Sequence, residues 1–147
     1  MRFNIKNIPI PEAHIAGIIL GVILHLFFTA TIFPAAWTGH LIGWPLIVLG
    51  TGLSLWAAVE AGEMDISAPE RLVTGGPYAF SRNPMYVGWS LIYLGICLVI
   101  NSIWLLVLFP FIVAYIHFVE IPKEERVLER TFGSQYREYR NEVRKCL

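Results

Sequence analysis

MYVGWSLIYLGICLVI-NS-IWLLVLFPFIVAYIHFVEI, residues 85–121, is the stretch whose reading decides the fold. It contains two apolar runs, about 85–100 and about 103–121, joined by Asn101-Ser102. Glu120 is the sole Asp, Glu, Lys or Arg within it. A helix rises about 1.5 Å per residue, so ~20 apolar residues cross a hydrocarbon core of roughly 30 Å. The second run meets that length, and the first is short enough to begin in the interface. A two-residue link forces the two helices to run antiparallel as neighbours. The stretch therefore predicts a helical hairpin in a bilayer.

Two further apolar runs precede it, about 13–33 and about 41–61. The first follows Arg2 and Lys6 as a signal sequence would, but it is too long for a signal core and is expected to be a span. Pro34, Trp37 and His40 suit an interfacial turn at 34–40. The chain is 56% hydrophobic and 15% charged, with mean hydropathy +0.59. Soluble domains carry about 25% charged residues, so there is too little charge here to coat a water-facing surface. The expected fold class is an all-α integral membrane protein, one domain over 1–147, with about four transmembrane helices.

Orientation follows from the basic residues. Arg2 and Lys6 precede the first run, and Arg71 and Arg82 lie between the second and third. Lys123, Arg126, Arg130, Arg137, Arg140, Arg144 and Lys145 follow the fourth, which completes all eleven. In a four-span chain all eleven fall on one side. The positive-inside rule makes that side the cytoplasm, with both termini cytoplasmic. Beyond the fourth run, Leu128, Phe132, Tyr136, Tyr139, Val143 and Leu147 recur at three- and four-residue steps. They predict a cytoplasmic amphipathic C-terminal helix over about 123–145, broken near Gly133. Gly17 and Gly21, and Gly39, Gly43, Gly50 and Gly52, read as sites of close helix packing. They are also compatible with a homo-oligomer. Cys97 and Cys146 form no disulfide framework and read as free thiols. The four histidines form no ligand cluster, and no metal site is expected. Glu60, Glu63 and Asp65 read as interface charges, and no feature points to nucleic acid.

Polar residues gather in two blocks on the cytoplasmic side. One is LVTGGPYAFSRNPMYVG, 72–88, and the other is PKEERVLERTFGSQYREY, 122–139. The tight hairpin is expected to bring the start of the third helix beside the end of the fourth, and with them the two blocks. On residue type alone each block has an ordinary explanation. Glu124 and Glu125 after Pro122 are regular helix N-terminal chemistry. Arg82 suits a cytoplasmic anchor and Tyr86 an interfacial belt, while Tyr136 and Tyr139 suit packing.

The first block resembles the Gly-Pro-Tyr…Arg-(His/Asn)-Pro-x-Tyr-x-Gly signature of the isoprenylcysteine carboxyl methyltransferase family, which is related to phospholipid N-methyltransferases. The second is similar to its Glu-Glu…Phe-Gly-x-x-Tyr-x-x-Tyr signature. The resemblance covers about residue 61 to the C-terminus. Asn83 stands where eukaryotic-type members carry histidine. The resemblance implies a membrane methyltransferase using S-adenosylmethionine and releasing S-adenosylhomocysteine. Its cofactor pocket would lie between helices three and four and the C-terminal segment. The implied cofactor residues are Gly76, Pro77, Tyr78, Arg82, Asn83, Pro84, Tyr86, Glu124 and Glu125. Glu124 or Glu125 could accept from the cofactor's ammonium and Arg82 could donate to its carboxylate. The reacting groups would be Arg82, Glu120, Glu124 and His117, with Glu120 or His117 as base if the acceptor is an amine or thiol. The partners implied are membrane lipids and a lipid-like or hydrophobic methyl acceptor. Two other readings remain: a non-enzymatic membrane assembly protein, and a membrane reductase of related architecture.

Overall fold

The computed structural model describes residues 11–62 and 69–146, and these are built from helices and their connections. Arg2 and Lys6, and Glu63, Asp65 and Leu147, lie outside the described residues. The helices are α1 (Glu12–Phe27), α2 (Ala36–Ala61), α3 (Pro84–Ile100), α4 (Ile103–Tyr115), α5 (Ile121–Phe132) and α6 (Ser134–Glu142). A 3₁₀ turn covers Gly76–Ala79 and a π turn covers Ile116–Glu120.

Two helices are long and apolar enough to cross a membrane: Ala36–Ala61, and the continuous helix Ile103–Phe132 made of α4, the π turn and α5. Only 17% of the apolar window in each is buried. A soluble core helix hides its apolar side chains, whereas α2 turns Trp37, Leu41, Trp44 and Val48 outward. The other two apolar helices, Glu12–Phe27 and Pro84–Ile100, are shorter.

Three boundaries differ from those read in the sequence. The first helix stops at Phe27 rather than near 33, because Thr29, Thr31 and Pro34 crowd the following segment with residues poor in a helix. The second begins at Ala36, two residues after Pro34, so most of the expected 34–40 turn is helical. The amphipathic segment is not a separate helix from 123, since α5 continues α4. Pro122 brings no N–H and crowds the preceding turn, and the wider π turn just before it makes room. Gly133, at φ 54°, then breaks α5 from α6 where the sequence suggested a break.

α2 and α3 lie backbone against backbone. A Cβ on Gly43 would sit 2.6 Å from the Gly95 carbonyl oxygen, and one on Gly95 2.6 Å from that of Gly43. α1 packs on α4 through Gly17 against Ile112 and Gly21 against Leu105. Gly52, read together with these from the sequence, faces open space. The core gathers Tyr93, Cys97, Leu105, Ile112, Ile116 and Ile121. Cys97 is buried, Cys146 half-buried, and both are free.

Asn101 closes the hairpin as expected of a tight link. Its φ of 58° is left-handed, a conformation that Asn tolerates better than most residues. Its Oδ1 accepts from Ile32 N at 3.0 Å and Phe33 N at 2.8 Å, and its Nδ2 donates to Phe33 O at 2.8 Å. One side chain thus ties the α1–α2 connection to the α3–α4 tip. Asn101→Ala forfeits these three bonds, about 1 kcal/mol each, and adds left-handed strain. It is expected to lower the melting temperature of the detergent-purified protein clearly, while Gly52→Ala leaves it unchanged or raises it slightly.

Candidate active site

α3 starts at Pro84, whose fixed φ suits a first helical residue. Arg82 and Asn83 just precede it, and Tyr86 falls in its first turn. α5 starts one turn past the end of α4; its own first turn carries Glu124, and Glu125 follows directly. Because α3 and α4 are antiparallel, these two helix starts meet.

They meet through side-chain pairs. Arg82 Nη1 lies 2.8 Å from Glu125 Oε1, with only 10% of the arginine and 19% of the glutamate side chain exposed. The same Nη1 donates to Tyr136 OH at 3.2 Å. Tyr86 OH donates to Glu124 Oε1 at 2.6 Å, a charge-assisted bond of short length. The two sequence blocks, 72–88 and 122–139, are therefore joined.

A third strand of chain crosses the junction. After α6, Arg144 O accepts from Arg82 N at 2.9 Å and Lys145 O from Asn83 Nδ2 at 2.7 Å. Lys145 Nζ donates to His117 O at 3.2 Å. The tail thus straps the Arg-Asn-Pro turn to the end of α4.

The Gly75-Gly76-Pro77-Tyr78 turn is held from two sides. Glu60, in the last turn of α2, lays its carboxylate over the glycines: a Cβ at Gly75 would meet its Oε1 at 2.7 Å, and one at Gly76 its Oε2 at 2.9 Å. Gly76 also has φ 55°, which favours glycine. From the other side Tyr139 OH donates to Tyr78 O at 2.7 Å. Arg71 caps α2 by donating to Glu60 O at 2.9 Å and Ala61 O at 3.3 Å. Burial, then the Glu124 and Glu60 charges, push the Tyr78 hydroxyl up to about 12. Tyr136 is likewise pushed up to about 12, by burial and then by Glu125, against the opposing pull of Arg82. Burial is also the main cause of a raised Tyr139. All three phenols stay protonated and act as hydrogen-bonding groups.

Two cavities flank the junction. The larger, about 640 Å³, lies between α1, α3 and the α4–α5 helix. Its polar lining includes His14, Tyr86, Glu120 and Glu124; Leu20, Leu108 and Phe111 form part of its apolar wall. The smaller, about 310 Å³, lies between α3 and α4 and is closed by Cys146 at the end of the strap. Ser90, Leu94, Phe109 and His117 are among its lining residues. Tyr86 and Ile116 line both.

The sequence-derived site residues are distributed as follows. Arg82, Tyr86, Glu124 and Glu125 come together in the two pairs. Asn83 is buried and spends its amide on the strap, and Pro84 and Pro77 are buried. Gly76, Pro77 and Tyr78 form the turn beneath Glu60. Glu120 and His117, three residues apart, line different cavities, because the π turn that holds them rotates successive residues differently from an α-helix. Sequence reasoning missed His14, Ser90, Glu60 and the 143–146 strap. Tyr136 and Tyr139 were read as packing residues; both are buried, yet their hydroxyls reach Arg82 and the Tyr78 carbonyl. The twin tyrosine spacing after Phe132-Gly133 was the available signal.

Residues 38–135 match the family profile described as phospholipid methyltransferase. The chain is similar to the protein-S-isoprenylcysteine O-methyltransferase of Schizosaccharomyces pombe, 34% identical over 104 residues. That alignment covers 66% of this chain and 44% of the relative, so the chain spans less than half the relative's length.

Removing one member of a largely buried ion pair leaves the other charge uncompensated, which costs about 3 kcal/mol or more. Arg82→Ala and Glu125→Ala are each expected to destabilise the protein by that order in detergent denaturation curves. The double variant should lose less than the sum of the two, since the pair acts as one unit.

Proposed function

We propose, on the premise that this chain belongs to the phospholipid methyltransferase family, that it transfers a methyl group from S-adenosylmethionine to a lipid-borne acceptor at the cytoplasmic membrane face. In this reading α1, α2, α3 and α4 all cross the bilayer, with both termini in the cytoplasm. The shorter α1 and α3 are accommodated by local thinning or by starting in the interface. Arg82, Lys123 and Arg126 stand at the same end of the bundle as Tyr86 and Glu124, as the positive-inside rule requires of a cytoplasmic site.

The single observation that carries the proposal is the Tyr86–Glu124 bond in the partition between the two cavities. The cofactor would sit at the junction of the two blocks, beside Arg82, Glu124, Glu125 and the Gly76-Pro77-Tyr78 turn, and the acceptor in the adjoining larger cavity, so that Tyr86 and Glu124 stand where donor and acceptor face each other. The residues fit the cofactor. Arg82 keeps a buried Nε–H without a partner among the described residues, a donor suited to an α-carboxylate. Glu124 and Glu125 supply negative charge for the ammonium, and the Gly76-Pro77-Tyr78 turn gives backbone for the adenosine. Asn83 and Pro84 hold the shape of the turn. When bound, S-adenosylmethionine supplies an electrophilic methyl on a sulfonium. The chain's part is alignment and exclusion of water, which the apolar cavity walls and the strap provide. Glu120, lining the larger cavity, and His117, lining the smaller, are further polar groups near the junction.

Titration calorimetry of the folded, detergent-purified protein with S-adenosylhomocysteine tests this reading. Saturable binding is expected, weakened at least about tenfold in Glu124→Gln, since a hydrogen bond to a charged group contributes about 1.5–3 kcal/mol. No binding by the folded wild type overturns the proposal.

A further inference from the structure

The chain leaves α6 at Val143, in extended backbone with φ −116° and ψ 135°, and then crosses the junction as the strap. Two main-chain carbonyls of the strap hold the Arg-Asn-Pro turn. Arg144 O accepts from Arg82 N at 2.9 Å, and Lys145 O from Asn83 Nδ2 at 2.7 Å. The third bond runs to the π turn, where Lys145 Nζ donates to His117 O at 3.2 Å. That bond meets a local need. In the π turn Ile121 N donates to Ile116 O. The next carbonyl in this ladder is His117 O, and residue 122 is a proline with no N–H to give. Lys145 supplies the donor that Pro122 lacks.

The other covers of the junction are firmer. Tyr136 and Tyr139 of α6 are buried, with their hydroxyls on Arg82 and the Tyr78 carbonyl. Glu60 of α2 lies over Gly75 and Gly76. The Arg82 side chain is only 10% exposed, so a ligand reaches it when a cover moves. The strap has no helical hydrogen bonds of its own, and Arg144 within it is exposed. A segment held by three hydrogen bonds belongs to the low-stability end from which local openings are drawn. Charge is costly in hydrocarbon, so a sulfonium nucleoside arrives from the aqueous side, where the strap lies.

Resting on the methyl-transfer reading, we infer that residues 143–146 are the latch of the cofactor site, and that Lys145 is the positioning residue that locks the latch shut on the π turn. The strap lifts to admit S-adenosylmethionine and to release S-adenosylhomocysteine. Lifting breaks the three bonds together and withdraws Cys146 from the end of the smaller cavity. It also returns Arg82 N and the Asn83 amide to water, which replaces the lost carbonyls at little cost. Closing restores a donor to His117 O, and so braces the helical path that carries Glu124 and Glu125. The latch lies beyond the region that the family profile matches.

The two free thiols make the wild type its own reporter. Cys146 travels with the strap, whereas Cys97, 0% exposed in the core, reacts only on global unfolding. Alkylation of the full chain in detergent by N-ethylmaleimide is followed at each cysteine by mass spectrometry, with and without saturating S-adenosylhomocysteine. Association and dissociation of radiolabelled S-adenosylhomocysteine are followed by rapid filtration. Cys146 should react faster than Cys97, and the ligand should slow Cys146 at least about tenfold more than it slows Cys97. Lys145→Met keeps the apolar stem and loses the donor. It should raise Cys146 alkylation, ligand association and ligand dissociation each at least about fivefold. Kd should change less than about threefold, because opening speeds entry and exit alike, and Lys145→Arg should restore rates close to those of the wild type. Equal protection of the two thiols, or unchanged exchange rates in a folded Lys145→Met, overturns the latch. Faster dissociation with unchanged association makes the strap a ligand contact and overturns it as well. If the wild type binds no S-adenosylhomocysteine, the methyl-transfer reading itself falls, and this inference with it; binding without selective protection of Cys146 removes the latch alone.

Discussion

An arginine and a glutamate that have both left water need each other, and the meeting of Arg82 with Glu125 governs how this molecule is assembled. Charge withdrawn from solvent is tolerated only when it is paired and hydrogen-bonded. Arg82 stands just before α3 and Glu125 just past the first turn of α5, so the pair draws together two residues that are 43 positions apart in the sequence. Tyr136 reaches in from α6 to share the guanidinium. With this point fixed, Tyr86 in the first turn of α3 and Glu124 in the first turn of α5 arrive at hydrogen-bonding distance. The strap can then close over Arg82 and Asn83 through backbone carbonyls.

The continuity of α4 into α5 has a further consequence. A clean break after residue 121 would have let the amphipathic segment swing freely. The π turn instead carries the helical path past Pro122, so that Glu124 and Glu125 are held by a rigid element. Sites built on helices hold their geometry more closely than sites on loops. The same turn places His117 on the wall of one cavity and Glu120 on that of the other, with Tyr86 between them. A partition with a short hydrogen bond within it separates an apolar space open sideways from a smaller space under the strap.

Much of this was legible beforehand. The apolar runs announced the helices, Asn101-Ser102 announced the hairpin, and Gly133 announced the break in the tail. The hairpin argument also anticipated that the two polar blocks would converge, and Arg82, Tyr86, Glu124 and Glu125 do. Less legible were the ends of α1 and α2, where Thr29, Thr31 and Pro34 outweighed apolar composition. His14 stood out only as one of four unclustered histidines and Glu60 as an interface charge, because nothing in their neighbours along the chain reveals what lies across the bundle. Gly52 shared a pattern with Gly43 and Gly50 yet packs against nothing, since spacing identifies a helix face but not its partner.

The amino-acid sequence by itself determined the helical class, the hairpin and the side of the bundle on which charge collects. These follow from period, length and composition, which are local quantities. The tertiary structure alone decided which carboxylate pairs with which base or phenol, that one tyrosine borders two cavities, and that a histidine from α1 lines the larger of them. Those outcomes depend on the rotation of each helix about its axis and on a π turn near Pro122. Both are set by side chains packing across the bundle, and such contacts leave no periodic mark along the chain.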